Sequence, residues 1–197
     1  MRRSLPADGR GRPRDERLTA TILEAVLARL ASHGARGMRT EDIAAIAGTS
    51  KQALYRRWPD KAAMIAAAVR HSLQQGNPAP PNSGDLVRDL TIVLGNTIRQ
   101  LAETPLAGAV AALVGERDDA ELAAALSAVL EERRGLMEAV FASAVARGDL
   151  PPDRDIALDI DALLGTIYFR LLIRRLPVAV GDAPAIVAAW LGSAARH

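Results

Sequence analysis

The chain has 197 residues, 49% hydrophobic and 3% aromatic, with 39 Ala, 25 Leu and no Cys, which excludes an all-β fold, a disulfide framework and a thiol nucleophile. Net charge is +2, yet residues 1–75 hold 14 Lys and Arg against 7 Asp and Glu, a local +7 that leaves −5 for the remainder and suits a polyanionic partner for the N-terminal third. The longest nearly unbroken apolar run, Leu106 to Gly115, is well short of the roughly 18 residues that span a bilayer, and no apolar signal core stands at the N-terminus, so a cytoplasmic protein with no membrane partner is expected.

Residues 1–14 interleave Arg2, Arg3, Arg10, Arg12 and Arg14 with Gly and Pro and show no apolar period; they read as a flexible basic arm, with Arg12 and Arg14 placed to enter a minor groove. From Asp15 the pattern turns helical, with Leu18, Ile22, Val26 and Leu30 four apart until His33 and Gly34 stop it. A short second helix fits Thr40 to Ala47, capped by Thr40 and ended by Gly48. Ser50 caps a third helix carrying Leu54 and Trp58, Pro59 closes it, and Asp60 caps a fourth that runs to about Gln74.

Residues 76–84, rich in Gly, Pro, Asn and Ser, read as a linker between a domain over 15–75 and a second over 85–197. Beyond it, helices are expected at about 85–103, 105–115, 119–147, 155–175 and 183–195. The whole is therefore an all-α chain of about nine helices.

Thr40 to Lys61 carries the functional signal. A helix, a tight turn and a second helix require apolar contacts between the helices, a small residue at the crossing and freedom in the turn, and Ile43, Leu54, Ala44 and Gly48 supply these at the required spacing. Such a helix-turn-helix offers Ser50, Lys51, Gln52 and Ala53, then Tyr55, Arg56 and Arg57, to the major groove, with Thr49 in the turn. Lys51 and Gln52 suit base edges and Ala53 a thymine methyl, whereas Thr40, Ser50, Tyr55 and Lys61 suit phosphates. The pattern Ser50-Lys51-x-x-Leu54-Tyr55-x-x-Trp58-x-x-Lys61 resembles the DNA-binding domain of the TetR family of transcriptional regulators. Thr49 stands where that family usually has Val, Gln52 where Gly is frequent, and Arg57-Trp58 where His-Phe is commoner.

The resemblance implies a homodimer that binds a palindromic operator on double-stranded DNA, with a repressor as the expected sense and an unknown small-molecule inducer that releases it. It also implies a helical C-terminal domain that both dimerises and encloses the ligand. For the dimer interface, Ile160, Leu164, Ile167, Tyr168 and Leu171 share one helical face and Ile186 and Trp190 another. For the ligand, Thr97 and Arg133 interrupt apolar stripes, and Met137, Phe141 and Phe169 are candidate wall residues; Arg133 calls for an internal acid or an acidic ligand.

No nucleophile elbow, phosphate loop or metal-spaced histidine set is present, so neither an enzyme nor a cofactor is expected. Asp155 and Asp159, four apart, read as complements to a helix dipole. A nonspecific architectural DNA-binding protein is the alternative, with a small helical enzyme behind it.

Overall fold

A computed structural model describes residues 12–116 and 118–194. Those residues form nine α-helices: α1 (Arg12–Gly37), α2 (Thr40–Ile46), α3 (Lys51–Arg57), α4 (Lys61–Gly76), α5 (Leu86–Glu103), α6 (Leu106–Val114), α7 (Ala120–Arg147), α8 (Ile156–Tyr168) and α9 (Ala183–Ala194). No described helix is long and apolar enough to cross a membrane. The backbone of α1 begins three residues inside the segment expected as an arm; the side chains of Arg12 and Arg14, like residues 1–11, lie outside the described residues.

The first four helices enclose one core. Ile22, Val26 and Leu30 of α1, Ile43 of α2, Leu54 of α3 and Met64 of α4 are all inaccessible to solvent. Gly34 adopts φ 69° and ψ 173° and kinks α1 where the apolar stripe ends, a conformation that costs other residues about 1–3 kcal/mol. The structure moves one cap. Thr40 is not the N-cap of α2 but its first helical residue, and it is buried; the extended residue before it is Arg39, which makes no side-chain cap. Thr40 packs into the core instead of turning its hydroxyl back on the first turn.

The second unit continues directly from α4. Leu90, Val93, Leu94 and Ile98 of α5 are buried in one core with Met137, Val140 and Phe141 of α7, α5 packs against both α7 and α9, and Phe141 meets Trp190 of α9 edge to face at 5.6 Å. α1 crosses α6, and α4 packs against both α5 and α7, so the two units share a continuous interior. α8 ends in a single π-helical turn, Phe169–Ile173, inside the span expected as one helix to about residue 175.

One polar cluster organises the junction of α7, α8 and α9. Asp159 is buried and accepts two hydrogen bonds from Arg154, at 2.7 and 2.6 Å, and a third from Trp190 Nε1 at 2.8 Å. The Arg154 guanidinium also lies 5.6 Å from the centre of the Trp190 ring. Burial alone would raise the Asp159 pKa, but the bonds from Arg154 and Trp190 outweigh it and hold the carboxyl below its usual range. Asp155 is the N-cap of α8.

Candidate functional site

The turn between α2 and α3 is closed by the chain itself. Gly48, at φ 62°, donates to the Ala45 carbonyl at 3.3 Å, and the Thr49 N–H reaches back to the Ala44 carbonyl at 2.9 Å. This is a Schellman arrangement, in which the left-handed residue after a helix lets two end carbonyls be satisfied at once. Thr49 contributes its backbone here, so the absence of Val leaves the turn intact. Ser50 Oγ then accepts the Ala53 N–H at 3.2 Å and starts α3, while Asp60 Oδ1 accepts the Ala63 N–H at 2.6 Å and starts α4.

With Leu54 fully buried and Trp58 partly so, the opposite side of α3 is exposed. It presents Lys51, Gln52, Tyr55 and Arg56, with Ala53 half-buried beside them. The Ser50 oxygen is engaged as a cap, which leaves its O–H to donate outward. Lys61 stands partly exposed at the first position of α4. Lys51 Nζ is 2.7 Å from Glu41 Oε1 on α2 and 6.0 Å from the Tyr55 ring. The hydrogen bond between them lowers the pKa of Glu41 and raises that of Lys51, so both carry full charge. Sequence reasoning missed Glu41 as the residue that orients Lys51, although its place in the first turn of α2 was visible.

Arg57 departs from expectation. Its guanidinium pairs with Asp15 and donates to Thr19 Oγ1 at 2.9 Å, both on α1. The last turn of α3 approaches the start of α1, and these contacts hold the Arg57 guanidinium against α1 while the residue stays exposed at the surface.

In the second unit a cavity of about 40 Å³ lies among α4, α5, α7 and α8. Thr97, Arg133 and Met137 line it as expected; Phe141 is sealed in the core and Phe169 is 55% exposed on the outside. Leu164 and Tyr168, expected at the dimer interface, line the cavity instead. Arg133 Nη1 donates to the Asn77 carbonyl at 2.8 Å, so the partner of this half-buried cation is a backbone oxygen and not an acid. Burial pulls its pKa down, with Glu132 and Tyr168 opposing. Burial also raises the Tyr168 pKa, which keeps the phenol neutral.

Asn77, the last cap of α4, was read as linker and is buried. Its amide donates to the Val93 carbonyl and to Thr97 Oγ1, each at 3.2 Å, and its oxygen accepts from Asn96 at 3.1 Å.

The remaining expected interface residues divide. Ile160, Ile167 and Trp190 belong to the chain's own core, whereas Leu171 and Ile186 are partly exposed. The outward stripe of α8 is Leu158, Ala162, Gly165 and Thr166, continued by Phe169 and Ile173. α8 is apolar on both sides, and the larger side chains of the other side fill the core.

The comparisons with known proteins agree with this geometry. Residues 22–68 match the family described as bacterial regulatory proteins, tetR family, and residues 80–190 match the tetracyclin repressor-like C-terminal domain. The chain belongs to the TetR family of transcriptional regulators. It is similar to the uncharacterised helix-turn-helix regulator YdeS of Bacillus subtilis, with 29% identity over 83% of each chain. Among solved structures it resembles the TetR family transcription regulator SCO0332, 31% identical over 89% of this chain and 97% of that one, with a TM-score of 0.72. The Bacillus subtilis regulator FadR, solved in complex with stearoyl-CoA, shares the fold at a TM-score of 0.73 and 16% identity, covering 86% of this chain and 96% of that one. TetR-family members are DNA-binding transcription factors and not enzymes, which makes the exposed face of α3 the candidate reading head.

Proposed function

We propose that this TetR-family chain is a repressor that binds a palindromic operator as a homodimer and leaves it when a small molecule enters the C-terminal domain. The observation that carries the reading is the α3 face: a capped, rigidly seated helix whose outward residues combine a cation, an amide and a phenol. Two copies related by a two-fold axis would set α3 and its mate into successive major grooves. Ser50, Tyr55 and Lys61 would hold phosphates, while Lys51, Gln52 and Ala53 would read bases.

The dimer is proposed through the outward stripes of α8 and α9. Ala162, Ala185 and Ala189 line a groove of about 390 Å³ between these helices, with Ile186 and Arg170 beside them. Small residues there let two helix pairs approach closely in a four-helix contact. Ala162→Glu places an unpaired charge on that surface, and its expected result is a monomer by sedimentation with operator affinity reduced at least about 10-fold. An Ala162→Glu protein that remains dimeric would move the interface elsewhere.

Ligand binding within this fold is illustrated by the FadR complex. In the present chain α4 links the two functions, since it carries Lys61 at one end and Asn77 at the other. Arg70 and Gln74 of α4 both hold Glu132 of α7, at 2.7 and 3.1 Å, so a rearrangement around α7 is transmitted to α4 and to the spacing of the reading heads. The direct test is to incubate the protein with fragmented DNA from its source and sequence what is retained. A shared inverted repeat supports the proposal. Retained fragments without any common sequence would favour the architectural alternative.

A further inference from the structure

We infer that the Arg133 cavity recognises the carboxylate of a small organic acid, and that this acid releases DNA by taking Arg133 away from Asn77. The inference rests on the ligand-released regulator proposed above and names the class of its ligand. Arg133 is a half-buried cation that makes no ion pair with any acid among the described residues. The neighbouring carboxylate, Glu132, is occupied by Arg70 and Gln74. The other polar groups around the cavity, from Thr97, Gln100 and Tyr168, are neutral. The site therefore carries one positive charge and neutral hydrogen-bonding groups, a combination that favours an anion.

Size and lining narrow the class. About 40 Å³ is room for roughly three waters, since one water needs about 10–15 Å³ of such a cavity. A carboxylate fits and a drug-sized molecule does not. Leu73, Met137 and Leu164 form the apolar side of the cavity, and Met137 is the adaptable member, since its unbranched thioether repacks at low cost around a short hydrocarbon tail. A larger groove of about 470 Å³ between α1, α4 and α5 is bordered by Glu24, Glu103 and His71, with no Lys or Arg in its lining.

The same arginine is the link to α4. Its only protein acceptor among the described residues is the carbonyl of Asn77, the residue that caps α4 and ties it to α5 through Val93 and Thr97. A carboxylate offers a guanidinium two charged acceptors in place of one neutral carbonyl. Its arrival withdraws Arg133 from Asn77 and loosens the end of α4 from α7.

The test uses the full chain, acetate, butyrate and hexanoate as probes, the corresponding primary amides as controls, and constant ionic strength. The expected result is a rise in Tm of about 5 °C or more at saturating acid, none with the amides, and release of a DNA fragment selected in the experiment above. Arg133→Met should abolish the Tm response, and Arg133→Lys, which keeps charge but loses the planar fork, should weaken it about 10-fold; if Arg133→Met does not fold, the lysine variant and the amide comparison decide. Equal response to acids and amides, no response to any acid at tens of millimolar, or an unchanged response in either variant would overturn the carboxylate assignment. A rise in Tm with no loss of bound DNA would overturn the Asn77 coupling. Sequence-specific binding in the absence of acid is read separately, so a failure of the regulator itself is distinguished from a failure of this ligand class.

Discussion

Replacing Asp159 by Ala is expected to lower stability by about 3 kcal/mol and Tm by about 6–12 °C. The substitution removes the acceptor of both Arg154 bonds and of the Trp190 N–H. What remains is a cation over the Trp190 ring and a buried indole N–H that has lost its Asp159 acceptor, and such a loss costs about 1–3 kcal/mol. Because Trp190 also packs on Phe141, the loss spreads from the loop before α8 to the centre of the second unit. Chemical denaturation followed by Trp fluorescence measures it directly.

The pH dependence of the same contact follows from the direction of the Asp159 shift. Its carboxyl is held below the value of an unfolded aspartate, which is about 3.9. The stability it contributes is fully present above that pH and is lost as pH falls through the lower folded-state value. Asp159→Asn, which keeps shape but not charge, is therefore expected to flatten the stability profile below about pH 4 relative to the native chain. A profile unchanged by Asn would show that the Arg154 pair contributes nothing to acid sensitivity.

The second large effect is expected at the reading head. Lys51→Ala and Gln52→Ala should each reduce affinity for the selected site by about 1–3 kcal/mol while leaving binding to random DNA much less affected. Lys61→Ala should weaken binding to every sequence and reduce the salt slope by about one. Lys51 has an added dependence on Glu41, which holds its ammonium at 2.7 Å. Titrations against the selected duplex and a scrambled one, at two salt concentrations, separate the two kinds of loss. Equal losses on both duplexes for all three variants would refute the division of roles.

The geometry of the candidate reading head was legible from the sequence because its determinants are local. Gly48, Ser50 and Asp60 each act on backbone within a few residues, so the turn and two caps follow from the order of side chains alone. Thr40 satisfied the same local rule and was misread, since burial decided its role. Farther along, legibility fell with sequence separation. The α8 face could not be oriented from period alone, because Leu158 and Ile160 lie on opposite sides of a helix that is apolar on both; the core takes Ile160 and leaves Leu158 64% exposed.

Asp159 fitted the dipole pattern, but its partners are Arg154 outside the helix and Trp190 in another helix. Arg133 was legible as a charge on a core face. Its acceptor was not, being the backbone of Asn77, a residue whose Gly- and Pro-rich surroundings read as an exposed linker. Arg57 likewise belonged to the motif by position and to α1 by contact.

The most direct test of the whole account is the ratio of affinities for the selected inverted repeat and for a scrambled duplex of the same length and composition, measured from low to physiological salt. A sequence-reading regulator gives a ratio of about 10³ or more at physiological salt, sustained as the absolute affinity of both falls. A ratio near one at every salt concentration would contradict it and leave the basic first domain as a general binder of DNA.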